Sequence, residues 1–280
     1  MPPTSFWSLW DFPPVVCSTL ALVSVIYTIG FLRIRRSRPR IFEPWRWWAF
    51  MGGMGALVVA VSSPLDTLDD KLLVIHMAQH FVLMSIAPPL VLFGAPVVPL
   101  LRGLPKAFVR SVLGPLIRIR PLRRFFHALV QPKLAWLLMV VSYIGWHVPA
   151  AYEATLASEN IHNLEHACFF FSNILFWWPI IEPWPSRFQG SRWLLLPYLL
   201  SAGVANTAVS AFLVFSGRLI YPSYGLHPGM FGLSPMQDQA AAGAFMWVAN
   251  SIVFLFPAYG ITLQQLSPRK SRAWKAQAVR

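Results

Sequence analysis

Long apolar runs dominate this chain, near 14–33, 45–63, 72–101, 133–149, 160–181, 193–216 and 239–263, and basic residues gather between them. A helix needs about 20 apolar residues to cross the hydrocarbon core of a bilayer. In hydrocarbon every backbone polar group must be satisfied inside the protein, which favours helices. The pattern predicts an all-α, polytopic membrane protein, a bundle of seven transmembrane helices forming a single domain over residues 1–280. A basic cytoplasmic tail is expected over 264–280. Composition agrees: 12% of residues are charged and 56% hydrophobic, against about 25% charged in a soluble domain. Pro88-Pro89 and Pro96 in the third run predict a kink or break there, because proline removes a helix hydrogen bond. The stretch 101–131 is expected to be the largest loop.

The net charge of +13 could point to nucleic acid, but the cations lie between apolar runs and no recognition motif accompanies them. Their distribution bears on orientation instead. Twenty-one Lys and Arg fall on alternate connections and the tail, including Arg33 to Arg46, Arg102 to Lys133, Arg187 and Arg192, and two, Lys71 and Arg218, fall on the others. The positive-inside rule then predicts N-out, C-in, which an odd helix count satisfies. Met1 to Pro14 contains no Lys or Arg, so the first run reads as a retained helix rather than a secretory signal. Tryptophans near run ends, such as Trp47, Trp48, Trp177 and Trp178, fit interfacial belts. Cys17 and Cys168 lie inside apolar runs without redox or zinc spacing and read as small buried hydrophobes. No internal repeat supports a transporter built from duplicated halves.

The chemistry concentrates in histidine. Of seven histidines, His76, His80, His147, His162, His166 and His227 map to the outer half of this topology, and His127 to the cytoplasmic side. Two pairs, His76/His80 and His162/His166, are spaced four apart, so each pair shares a helix face. Two imidazoles on one face can grip one metal ion, and a facing pair completes a four-ligand site. Polar groups inside a membrane are expensive and mark function by default. The expected metal ligands are therefore His76, His80, His162 and His166. His147 is a candidate additional ligand, and Glu165 a candidate acceptor that orients a ligating imidazole or handles a proton. Imidazole suits copper, zinc and iron, while thioether favours Cu(I), which brings in Met77 and Met246. On the seventh run Gln239, Gly243, Met246 and Asn250 form a polar stripe expected to face the interior, and Asp238 is expected either to cap that helix at the outer surface or to stand behind the metal ligands and tune their orientation or protonation.

Three stretches together resemble the multi-span CtaG family of cytochrome c oxidase assembly factors, found with bacterial caa-type oxidases. The first is His76-Met77-Ala78-Gln79-His80 with Ala87-Pro88-Pro89-Leu90 and Gly94-Ala95-Pro96. The second runs from Trp146-His147-Val148-Pro149 and Tyr152 through His162 and Glu165-His166 to Phe176-Trp177-Trp178-Pro179. The third is Tyr221-Pro222-Ser223-Tyr224, then Asp238-Gln239, Ala242-Gly243 and Met246-Trp247. The likeness spans roughly residues 50 to 260. It implies a non-enzymatic role in maturing the oxidase in a bacterial plasma membrane, with oxidase subunits as partners and copper, as Cu(I), bound or delivered on the outer side.

Two other readings stay open at this level. His162-Asn163-Leu164-Glu165-His166 matches the inverted zincin pattern of a membrane zinc metalloprotease, with Asp238 the outer carboxylate after it. Alternatively, one histidine from each pair could bind haem b.

Overall fold

The computed structural model describes residues 9–186, 188, 190–226 and 230–267. His227, the basic residues of the tail from Arg269 onward and Arg187 lie outside them. Every regular element among the described residues is helical. In chain order the principal helices are α1 (Pro14–Arg35), α2 (Pro44–Ser62), α3 (Leu73–Phe93), α4 (Val97–Gly103), α5 (Arg120–Leu129), α6 (Pro132–Trp146), α7 (Pro149–Ala157), α8 (Glu159–Ile181), α9 (Leu195–Phe215) and α10 (Pro235–Leu266). Proline at the first turn opens α1, α2, α6, α7 and α10, where its missing N–H has no helical partner to lose.

Among the described residues six helices are long and apolar enough to cross a membrane: α1, α2 with its short extension to Thr67, α3, α8, α9 with the turn before it, and α10. A further pair, α5 and α6, is bent by 66° at its junction and passes the same length and composition test only when the two are joined. Helix α6 alone has 15 residues, about 22 Å at 1.5 Å per residue, against a hydrocarbon core of about 30 Å. It ends at Trp146 and not at 149, because Val148 precedes Pro149 and is pushed to extended ψ 128. The stretch 101–131 is also not a loop. It is mostly short helical segments, among them Lys106–Phe108, Gly114–Arg118 and α5.

The third apolar run breaks at Gly94–Pro96, where Ala95 takes φ 48, and not at Pro88-Pro89. A π-helical turn over Val82–Ile86 precedes those prolines. Pro88 has no N–H to give the Met84 carbonyl one turn back; the Trp177 indole N–H fills that acceptor at 3.1 Å. At the end of α3, Arg46 Nη1 donates to the Phe93 carbonyl at 2.8 Å and Tyr27 Oη to the Gly94 carbonyl at 2.7 Å. Orphan carbonyls at a helix end are thus satisfied by neighbours.

Hydrogen bonds fix how the helices alternate. At one end of the bundle the start of the chain reaches α2, Asp11 N–H donating to Ser62 O at 3.1 Å. Gln79 Nε2 near the start of α3 donates to Ala60 O of α2 at 2.9 Å. Tyr221 Oη, in the connection before α10, donates to His147 O just past α6 at 3.0 Å. Gln239 Nε2, at the start of α10, donates to Leu213 O of α9 at 3.1 Å. Starts of α3 and α10 therefore meet ends of α2, α6 and α9, an up-and-down arrangement with its polar loops gathered at this end.

Candidate metal centre

The Asp69–Leu72 turn leads directly into α3, and α7 leads into α8 through Ser158. Both helices therefore start at the same end of the bundle and carry their histidine pairs within the first turns. The two pairs face each other. Ring centroids are 4.3 Å apart for His76/His80, 4.0 Å for His162/His166, 5.2 Å for His76/His162 and 5.6 Å for His80/His166. One nitrogen from each of the four rings lies within 4.8 Å of the others. His76, His80 and His166 are buried, and His162 sits at the solvent edge.

What these nitrogens lack is informative. His76 Nε2, both nitrogens of His80, His162 Nε2, His166 Nε2 and both Glu165 oxygens are buried without a hydrogen-bond partner. Buried polar atoms are nearly always paired, and each orphan costs on the order of 1–3 kcal/mol. Such a concentration at one point fits an ion that supplies the missing partner. The Glu165 carboxylate, fully buried, stands 3.7 Å from His76 Nε2 and 3.6 Å from His80 Nε2, longer than hydrogen bonds but on the same side as the ring nitrogens.

Surrounding groups set the tautomers. Tyr224 Oη gives its single proton to the Asp69 carbonyl at 2.7 Å. Its oxygen must therefore accept from Tyr152 Oη at 3.0 Å and from His76 Nδ1 at 3.3 Å. A proton on His76 Nδ1 leaves a lone pair on Nε2, the atom aimed into the cluster. His147 behaves alike: Nδ1 lies 2.7 Å from the Tyr143 carbonyl, which only accepts, so Nε2 carries the lone pair and is itself without a partner. Neutral imidazoles oriented by hydrogen bonds at their far nitrogen are the usual arrangement for metal ligation. His147 lies against the cluster, 6.4 Å from the His80 ring.

Asp69, Tyr152 and Tyr224 were not among the expected site residues. Asp69 Oδ2 approaches His162 Nε2 at 3.2 Å, and burial pushes its carboxyl up to about 7, against the pull of His76. Tyr152 stacks on Tyr221 at 4.0 Å and meets the His76 ring at 5.0 Å. The tyrosines stand inside the motifs that carry the family resemblance, which was the signal available. Asp69 sits in an acidic run with no spacing to distinguish it.

Asp238 is not the cap of α10. Ser234 is the N-cap of α10, with Gln237 completing a capping box. Asp238 instead reaches across to α3, accepting from the Leu73 N–H at 2.7 Å and the Val74 N–H at 3.1 Å. It holds the start of the helix that carries His76 and His80. Its charge also complements the positive end of the α3 dipole. Asp238→Ala is expected to cost about 1–2 kcal/mol, the range for losing a cap, and to weaken metal binding about tenfold through displaced ligands. Thermal unfolding and metal titration of the purified variant check this, with Asp238→Asn intermediate. Unchanged values in both would remove the cross-helix cap from the account. Met77 and Met246 fill apolar space in the larger core cluster. Gln239, Gly243 and Met246 are buried, and Asn250 joins Ser85 and Asn206 through bonds of 2.8 and 3.0 Å.

The other two readings find no support here. Asp238 is committed to α3, so the downstream carboxylate of a zinc protease is missing, and a haem would have to part imidazoles that already touch.

A helical, polytopic membrane protein with a convergent histidine cluster at one end of its bundle is the class defined by these observations. The chain belongs to the family described as cytochrome c oxidase caa3 assembly factor (Caa3_CtaG), whose sequence model matches residues 25–267. It is similar to an uncharacterized protein of Mycobacterium leprae, 28% identical over 266 residues, covering 88% of this chain and 38% of the relative. Uncharacterized proteins of Mycobacterium bovis and Mycobacterium tuberculosis are each 26% identical over 254 residues, 86% of this chain and 37% of theirs. The chain thus spans well under half the length of these curated relatives. No solved structure matches it.

Proposed function

We propose that this chain is a non-enzymatic assembly factor that binds copper, as Cu(I), through His76, His80, His162 and His166 and supplies it to cytochrome c oxidase subunits. The observation that carries the reading is the set of four imidazoles gathered within 4.8 Å, with unpartnered nitrogens on His76, His80 and His166. Family membership directs that chemistry to the oxidase, and the resemblance implies copper as the cargo. A carrier must release its metal. His162 at the solvent edge offers the point of exchange, and His147 Nε2 offers a further donor as one ligand leaves. Glu165 provides a negative charge beside the cation. A closed four-histidine zinc site would instead be structural. The test is oxidase copper content at limiting copper in cells carrying His76→Ala/His80→Ala or His162→Ala/His166→Ala. A copper-poor oxidase, partly rescued by added copper, is expected. A fully loaded oxidase beside normally accumulating variants would overturn the carrier.

The proposal includes the topology: seven crossings, with α6 as the short one, N-out and C-in in a bacterial plasma membrane, and the histidines extracytoplasmic. The basic asymmetry supports it. Reporter fusions after Arg40 and after Arg124 are both expected to report cytoplasm; a periplasmic signal at either reverses the orientation.

A further inference from the structure

Helix α5 has a feature that the histidine cluster does not use. Its sequence, Arg-Pro-Leu-Arg-Arg-Phe-Phe-His-Ala-Leu over Arg120–Leu129, sorts cleanly around the helix. At about 100° per residue, Leu122, Phe125, Phe126 and Leu129 occupy one narrow arc. Arg120, Arg123, Arg124 and His127 occupy an arc nearly opposite. Phe125 and Phe126 are 56% and 57% exposed, and the helix packs mainly on the segments just before and after it in sequence. Arg123, Arg124, His127 and Gln131 line an open groove. The preceding stretch continues the pattern, with Lys106, Arg110 and Arg118 among exposed Phe108, Leu116 and Ile117. No Asp or Glu occurs between Asp70 and Glu153. The 66° bend between α5 and α6 lays α5 steeply across the direction in which α6 enters the bundle.

We propose that α5 lies in the membrane surface at the end of the bundle away from the histidines, and that its arginine arc binds the phosphate headgroups of acidic phospholipids. A helix with opposed apolar and basic arcs sinks its apolar face to the acyl boundary and keeps its cations among headgroups. The complete absence of acidic residues from this stretch matches an anionic surface. Each arginine near such a surface contributes roughly fivefold to the partition. The site is independent of the metal reading.

The test uses the full chain in nanodiscs of phosphatidylcholine alone, or with phosphatidylglycerol at about 30 mole percent. Amide hydrogen exchange is followed over residues 114–131. Phosphatidylglycerol is expected to slow exchange there at least tenfold. Salt should reverse this, since surface charge is screened within about 10 Å at 0.1 M. Arg120→Gln/Arg123→Gln/Arg124→Gln is expected to abolish the difference while residues 159–181 stay protected. If that variant loses protection throughout, the salt response of the native chain decides. Equal exchange in both lipids, or no response to salt, overturns the proposal. So does protection that appears in phosphatidylcholine only when oxidase is added, which would assign the surface to a protein.

Discussion

His76→Ala/His80→Ala is expected to reduce metal affinity by more than about 100-fold, beyond the 10–100-fold typical of losing a supporting group around a metal. It removes half of the imidazoles that converge within 4.8 Å, and the two left on α8 cannot close a four-ligand site. The same change is expected to affect the metal-free protein in an unusual direction. His76 Nε2 and both nitrogens of His80 are orphaned, each at a cost of about 1–3 kcal/mol. Removing them relieves that cost, while the cavity left behind opposes the gain. A shape-filling pair, His76→Leu/His80→Leu, keeps the volume and drops the polar atoms. It should therefore raise the thermal stability of metal-free protein while losing metal as completely as the alanine pair. Metal titration and thermal unfolding with and without metal read both effects. If the leucine pair is markedly less stable than the native chain without metal, the histidines are structural partners of one another and the site is not built for an ion.

Gly30→Ala is expected to destabilise the fold by about 3 kcal/mol or more, at the upper end for overpacking. A Cβ on Gly30 would stand 1.7 Å from the Pro99 carbonyl oxygen, and one on Gly103 would stand 1.9 Å from the Ile26 carbonyl oxygen. The contact is reciprocal and lies between backbones, so no side chain can rotate away. Within a bilayer the apolar effect does not drive helices together, and close backbone packing through small residues carries much of the association. Helices α1 and α4 would have to part. Gly55 and Gly145 are the controls, because nothing lies within 4 Å of a Cβ at either. Alanine there should be neutral or stabilising by up to about 1 kcal/mol, from helix propensity. Accumulation in the membrane and unfolding in detergent compare the set. Gly30→Ala behaving like Gly55→Ala would mean that α1 does not depend on this contact.

The division of labour between sequence and tertiary structure follows from the range of the forces involved. Helical class and the positions of the apolar runs were legible because hydrocarbon imposes one local rule on every segment, and a run of about 20 apolar residues announces it. The histidine pairs were legible for the same reason: four-residue spacing is a property of one helix. That the pairs face each other depends on how α3 and α8 pack, and the alignment of His76 Nε2 depends on Tyr224, Tyr152 and the Asp69 carbonyl. Those groups lie far apart in sequence and no periodicity joins them. Asp238 makes the point most directly. In sequence it stands immediately before the apolar run that begins at 239 and reads as that helix's own cap. Only packing brings Leu73 and Val74 within 2.7 and 3.1 Å of its oxygens. A carboxylate binds whichever unpaired N–H groups the fold brings to it, and distance along the chain does not enter that choice.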